Sequence, residues 1–367
     1  MNWKRLIAML VRRTIIEIQK LFVRMQLKGV HKPRLIVRNE LTRNYSCLCF
    51  FVIFCPNLDS SRRRFLQSMR NSNAYIVLVN NRTGFIIDDH DTHLIDAIYE
   101  NSNRGMDIGG FKHVSEAYIE RYNANDIPAK IVYANDSLFF LGGDESIFTN
   151  LLDPLKPWVG LFENSGLGGK YHVSSWLFSI SKPLFLDPAL ATFWHKYTPI
   201  NNKFYAIHVG EHGLSMTFLR LGCVASVIYS NEKLLALIDE ALRSNFEKNC
   251  QFLSSELIGR ITSSKLHFEN IRPEWFIYTI HETLFTVSPM HACQLLLLET
   301  GSCAFIKKDL FWNGRLSYAK LPLLQKILEK RAEPAFVQVI MNYYLVRGRM
   351  CDAGLFTRLR ALLGIGS

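Results

Sequence analysis

The chain has 367 residues, 49% hydrophobic and 20% charged, with eight cysteines and a formal net charge of +11. That length and balance predict a globular protein with a sizeable core, either one large domain or a catalytic domain with an accessory region. No run reaches the roughly 18 consecutive apolar residues of a membrane-spanning helix, so a spanning protein is excluded.

The charge is unevenly placed. Residues 1–38 hold ten Lys or Arg and one acid, Glu17, a net +9, which leaves +2 for everything else. A near-neutral body argues against a broad nucleic-acid-binding surface and assigns the basic character to an arm. The cysteines, at 47, 49, 55, 223, 250, 293, 303 and 351, form no Cys-x-x-Cys pair and show no zinc-ligand spacing. The apolar residues near the start are broken by charges every few positions, so no secretory signal is expected. Free thiols in the cytoplasm follow as the simplest expectation.

In chain order, the arm comes first. Trp3, Leu6, Ile7, Leu10, Val11, Ile15, Ile18, Leu21, Phe22 and Met25 recur at helical spacing, with Lys4, Arg5, Arg12, Arg13, Lys20 and Arg24 among them. Such a helix suits the headgroup region of an anionic membrane, with residues 1–30 as the contact. The alternatives are docking on the protein's own body or a partner, and nucleic-acid binding.

Cys47 to Phe54 reads as a first buried strand, and Asp59-Ser60 as the cap of a helix running to about Met69. Ala74 to Val79 is a second buried strand, closed by a turn over Asn80–Gly84. A third, Ala97 to Glu100, leads into Asn101-Ser-Asn103-Arg104-Gly105-Met-Asp107-Ile-Gly109-Gly110, where glycines let the backbone approach a ligand closely. A helix over 111–122 follows, then the apolar strand Ile131 to Ala134, ending in Asn135-Asp136-Ser137. An acid at the carboxyl end of a buried strand lies where open α/β sheets bind their ligands. Trp158 to Phe162 and Val173 to Ile180 read as further strands, with a flexible loop over 163–170 between them. Helices are predicted near Pro188–His195, from Gly210-Glu211, and over 233–247, 289–300, 320–330 and 335–345. This alternation predicts an α/β fold with a mostly parallel sheet, divided as an arm (1–45), an α/β domain (46–230) and a mostly helical region (231–367) completing the site.

Several short motifs in order resemble the rhamnan synthesis F family of bacterial polysaccharide glycosyltransferases. They are Asn103-x-Gly105-x-Asp107-x-Gly109, Asn135-Asp136-Ser137, Tyr171-His172-x-x-Ser175-Trp176-x-Phe178, and Ser288-Pro289-x-His291 followed by Gly301-x-x-x-Phe305-Ile-Lys307-Lys308-x-Leu310. Phe193-Trp194 and Gly210-Glu211-x-Gly213-Leu214-Ser215 fit between them, and the likeness spans residues 46–312. Asn101 stands where an arginine is expected and Ser174 where a glutamine is expected; both positions bear on donor or acceptor preference.

The resemblance implies a GT-A-like fold and transfer of a sugar, with rhamnose as the named one, from a nucleotide-diphosphate donor to a cell-surface polysaccharide or lipid-linked glycan. The expected setting is cytoplasmic, peripheral at the inner face of the cell membrane. An inverting transfer needs a carboxylate to take the acceptor's proton and positive charge to stabilise the departing diphosphate. Glu211, after a glycine at an expected loop-to-helix junction, is the candidate base, with Asp107 its rival; an acidic helix start is the plainer alternative. Asp136 is the candidate ligand for Mg2+ or Mn2+ or for the donor sugar, against a simple Asx-turn. Asn103 and Asp107 are candidate contacts to nucleoside or sugar, with Gly105 and Gly109 shaping the turn. Asn135, Ser137, Ser175, His172, His291 and Lys307 complete the substrate-binding set; for the two histidines and for Lys307 with Lys308, structural or solvated roles stand beside it. Trp176 and Trp194 are read as core residues. A different class, a non-catalytic glycan-binding or assembly subunit on the same scaffold, remains the competitor.

Overall fold

Residues with no polar face can form strands only where both sides are covered, and the run from Cys47 shows this directly. The computed structural model describes residues 3–26, 33–82, 87–101, 103–164, 171–254, 257–258, 277–280, 289–311, 316 and 320–348. After helix α1 (Trp3–Gln26) and strand β1 (Arg34–Val37), strand β2 (Cys47–Ile53) is buried at every position. Its side chains alternate between two cores: Cys47, Cys49, Phe51 and Ile53 enter one, while Leu48, Phe50 and Val52 enter the other. Strand β3 (Ala74–Asn80) repeats the pattern.

Helix α2 (Ser60–Asn71) lies between β2 and β3, capped as expected by the Asp59 side chain accepting from the Arg62 N–H. Strand β4 (Ala97–Glu100), helix α3 (Met106–Arg121), strand β5 (Lys130–Asn135) and strand β6 (Leu138–Phe140) follow. Next come α4 (Ser146–Leu151), β7 (Trp158–Asn164), β8 (His172–Val173), β9 (Leu177–Ser181), α5 (Lys182–Phe185) and α6 (Pro188–Lys196). A short turn α7 (Lys203–Tyr205), a π-helical stretch over Ala206–Glu211 and α8 (His212–Arg220) run together; β10 (Ser226–Tyr229) and α9 (Asn231–Ser244) come after.

The main sheet has the order β1-β4-β3-β2-β5-β9-β7-β10, with β8 paired to β7. Strands β2, β3, β4, β5, β7 and β10 point the same way, while β1, β8 and β9 run against them. The fold is therefore mixed α/β with a large, mostly parallel sheet. Helices α3, α5, α6 and α8 cover one face. On the other lie α2, α9, the small antiparallel pair of β6 with residues Phe305–Lys307, and the later helices Gln294–Glu299, Leu321–Glu329 and Pro334–Gly348. The seven described cysteines are free thiols, and burial pushes Cys47 up to about 12.

Three expectations are corrected. Helix α3 starts at Met106 rather than 111, because the glycine-rich stretch is the helix's first turn and not a loop ahead of it. The strand expected over Val173 to Ile180 is broken by a turn at Ser174–Trp176. Glu211 lies inside a continuous helical run from Lys203 to Arg220, not at a loop-to-helix junction. Thr83, Gly84 and residues 165–170 of the predicted loop lie outside the described residues.

Among the described residues no helix is long and apolar enough to cross a membrane.

Candidate active site

The carboxyl ends of the parallel strands collect the acids that the motifs singled out. The chain leaves β4 through three left-handed residues, Asn103 at φ +50°, Gly105 at +80° and Met106 at +57°. A side chain rarely adopts that geometry, so Met106 marks a forced turn. A Cβ on Gly105 would stand 2.6 Å from Pro199 Cβ, and one on Gly109 would stand 1.9 Å from the Arg104 carbonyl oxygen. These two glycines thus allow close approach of the protein to itself, and the contact that motivated a ligand at this turn is made by Pro199. The Gly105 N–H donates to Asn201 Oδ1 at 2.8 Å, fixing the bend. Its consequence is Asp107, delivered in the first turn of α3, where the helix dipole favours an acid.

Asp107 meets two other motif residues and, through one of them, a third. Asn135 Nδ2 donates to Asp107 Oδ2 at 2.5 Å, and Ser175 Oγ lies 3.1 Å from the same oxygen. Ser175 Oγ is also 2.5 Å from Glu211 Oε1, which accepts from the Ser175 N–H at 3.1 Å. One hydroxyl carries one proton, so Ser175 donates to one carboxylate at a time; the second contact is satisfied when the other carboxyl is protonated and donates to Oγ. His172 Nε2 stands 3.6 Å from Glu211 Oε2. Burial, and then the charge of Glu211, push Asp107 up to about 6; burial also raises Glu211, against the two Ser175 hydrogen bonds and the charges of Lys307 and Lys203. Two coupled acids sharing a hydroxyl are a place to store and move a proton.

The next residue along faces a different environment. Asp136 Oδ2 accepts from Arg62 Nη2 at 2.6 Å and from the Phe54 N–H at 3.4 Å, and Arg62 also pairs with Asp59. Burial favours the neutral acid here, but Lys308 and Arg62 outweigh it and hold Asp136 below its ordinary value. Ser137 serves the backbone: its N–H donates to Asn135 Oδ1, the expected Asx-turn, and its carbonyl accepts from the Lys308 N–H at 2.9 Å. Lys307 Nζ lies 3.0 Å from Asp309 Oδ2 and 3.7 Å from the centre of the Trp176 ring. His291 Nε2 reaches Asp309 Oδ1 at 3.0 Å. Trp176 is buried as expected, but its face carries a cation.

Asp107, Asn135, His172, Ser175 and Glu211 are therefore joined by direct contacts. Asp136 turns to the other side of β5, and Lys307 with His291 forms a flanking cluster around Asp309. Asn103 sits in the left-handed loop and, among the described residues, makes no side-chain hydrogen bond to either acid of the pair.

The residues around Asp136 do not fit Mg2+ or Mn2+. Hard divalent ions recruit several oxygens, whereas Asp136 is engaged by a guanidinium, with the Lys308 ammonium beside it. Elsewhere, Asp88, His90 and Asp91 have ligand atoms within 4.8 Å of one another. The Arg63 guanidinium already binds both acids and contacts the His90 ring.

Two features had no reading in the sequence. Arg62 is one, although a signal existed: three successive arginines near the start of α2 oppose the helix dipole, so their charge needs partners. Arg62 finds Asp59 and Asp136, Arg63 finds Asp91, and Arg64 donates to the Leu141 carbonyl. The other is the π-helical stretch ending at Glu211. Such stretches are rare and concentrate at functional sites, and no residue pattern announces this one.

No family model matches the chain. It is similar to virulence protein VirA of Vibrio anguillarum, with 25% identity over 263 residues that cover 70% of this chain and 76% of that protein.

Proposed function

We propose that the protein is a glycosyltransferase moving a sugar from a nucleotide-diphosphate donor to a polysaccharide or lipid-linked glycan acceptor at an anionic membrane surface. Rhamnose is the sugar that the motif resemblance to the rhamnan synthesis F family suggests. The observation that carries the proposal is the Asp107–Ser175–Glu211 contact beside Asn135-Asp136, at the carboxyl end of the parallel strands. The large, mostly parallel sheet with helices on both faces is compatible with a GT-A-like domain.

In this proposal Glu211 takes the acceptor hydroxyl's proton as that oxygen bonds to the anomeric carbon. The bond from that carbon to the diphosphate breaks, its electron pair leaving on the diphosphate oxygen. Burial holds Glu211's basicity up, and Asn135 and Ser175 fix the two carboxylates. Arg62, Lys307 and Lys308 are the cations close enough to the acids to offset the leaving group.

The direct test is release of nucleotide from a panel of nucleotide sugars with a glycan acceptor. Glu211→Gln should lower turnover by about 100-fold or more while donor binding, read by thermal shift, is retained. Donor binding without turnover in the unsubstituted protein, with the biological role intact in Glu211→Gln, would instead indicate a non-catalytic glycan-binding or assembly subunit.

A further inference from the structure

Helix α1 is amphipathic in an unusual sense: it docks on the protein by its polar-edged side. Ile16 and Val23 pack against the core, and Asn202 Nδ2 donates to Gln19 Oε1 at 3.1 Å. The Arg12 guanidinium covers the Phe204 ring at 5.0 Å, and Lys20 Nζ the Tyr205 ring at 5.0 Å. That leaves the richer apolar side facing out. Leu10, Val11, Ile18, Leu21, Phe22 and Met25 are all exposed, Phe22 at 58% and Met25 at 63%, with Trp3 at 65%. At 3.6 residues per turn these positions fall within an arc of about 120°. A stripe of seven exposed large apolar residues on one helix marks a contact surface.

We infer that this outward face of α1 lies in the headgroup region of an anionic bilayer. Charge selects that occupant. The segment 1–38 carries a net +9, and Arg13 is exposed on α1; a second copy would bring the same positive charge to the same face, whereas an anionic lipid surface complements it and takes up the apolar side chains. The helix is not apolar enough to cross the bilayer, so it lies flat. Its docking site, Asn202–Tyr205, runs without a break into the helical stretch that bears Glu211. A bilayer under α1 therefore holds the acid pair at a fixed distance from the lipid, which suits a lipid-linked acceptor; that last step alone rests on the transferase proposal.

The test is sedimentation of the full chain with vesicles of phosphatidylcholine alone and of phosphatidylcholine mixed with phosphatidylglycerol. Binding is expected on the mixed vesicles and should weaken as salt is raised. Leu10→Ser/Leu21→Ser/Phe22→Ser should lower it by about tenfold or more. Arg13→Gln should lower it by about fivefold on the anionic vesicles only. All these side chains are exposed, so the thermal midpoint should not move, and turnover on a soluble acceptor should persist, which separates this inference from the transferase proposal. Equal sedimentation of the triple variant would overturn it. So would a dimer that the triple substitution converts to monomer with vesicle binding unchanged, since the face would then belong to a second copy.

Discussion

Asn135 and Asp136 are neighbours at the end of β5, yet they look into opposite electrostatic worlds. Asn135 donates to Asp107, which shares the Ser175 hydroxyl with Glu211; the protons of these two acids are held more tightly than usual by burial and, for Asp107, by the charge of Glu211. Asp136 faces Arg62 and Lys308 and gives up its proton more readily than a free aspartate. The same buried strand end therefore presents a proton-holding side and a charge-compensated side about one residue apart. The contrast comes from partners and not from burial, because burial pushes all three acids upward. What separates them is that at Asp136 the nearby cations outweigh burial, whereas at Asp107 and Glu211 burial prevails.

The largest expected effect comes from removing the cation on the compensated side. Arg62→Met leaves the half-buried Asp136 with Lys308 and the Phe54 N–H and should cost about 3 kcal/mol of stability. The sign of the pH dependence is checkable. A carboxylate held below its ordinary 3.8 contributes stability that is present above that value and lost as pH falls through the lowered one. In Arg62→Met the Asp136 value rises, so the loss should begin at higher pH, and Asp136→Asn in the same background should recover much of it. Urea unfolding across the acid range reads both; a variant as stable as the parent would erase the contrast.

A smaller effect of opposite sign is expected on the other side. Asp107 is raised from 3.8 to about 6, so its stabilisation is complete below the lower value and lost as pH rises through the higher one. Above about pH 6 the folded protein bears the cost of the ionised, buried acid. Asp107→Asn removes that cost and should raise stability there by on the order of 2 kcal/mol, while turnover falls. A loss of stability at every pH would mean that the carboxylate holds the site together instead of straining it.

How these two sides were legible in the sequence differs in kind. Strands β2, β3 and β5 declared themselves because an unbroken apolar run has few other uses, and Asp59 because a cap acts locally. The acids Asp107, Asp136 and Glu211 were visible as residues, but not their pairing, since Arg62 and Asp136 are 74 positions apart and only the sheet order brings them together. The break that frees Ser175 contains no glycine or proline, so its segment read as one strand from Val173 to Ile180. The glycine-rich stretch misled in the other direction: Gly105 and Gly109 suggested a turn that a ligand approaches closely, whereas their lack of a Cβ admits Pro199 and the Arg104 carbonyl. The face by which α1 docks was equally hidden, because both of its sides carry apolar residues.

The finest probe is the hydroxyl that joins the two acids. Ser175→Ala removes one hydrogen bond from each, while the residue 175 N–H still reaches Glu211 Oε1. The stability cost should be modest, about 1 kcal/mol, because the backbone contact and Asn135 remain. The informative change lies in the pH profile. Ser175 lowers both acids against burial, so without it both should hold their protons to higher pH. The acid limb of turnover should then shift upward while the plateau above it is kept, since Glu211 is still present to accept the proton. A lowered plateau with an unmoved limb would assign Ser175 to substrate positioning; a limb and plateau both unmoved would leave the short contact to Glu211 without a part in the chemistry.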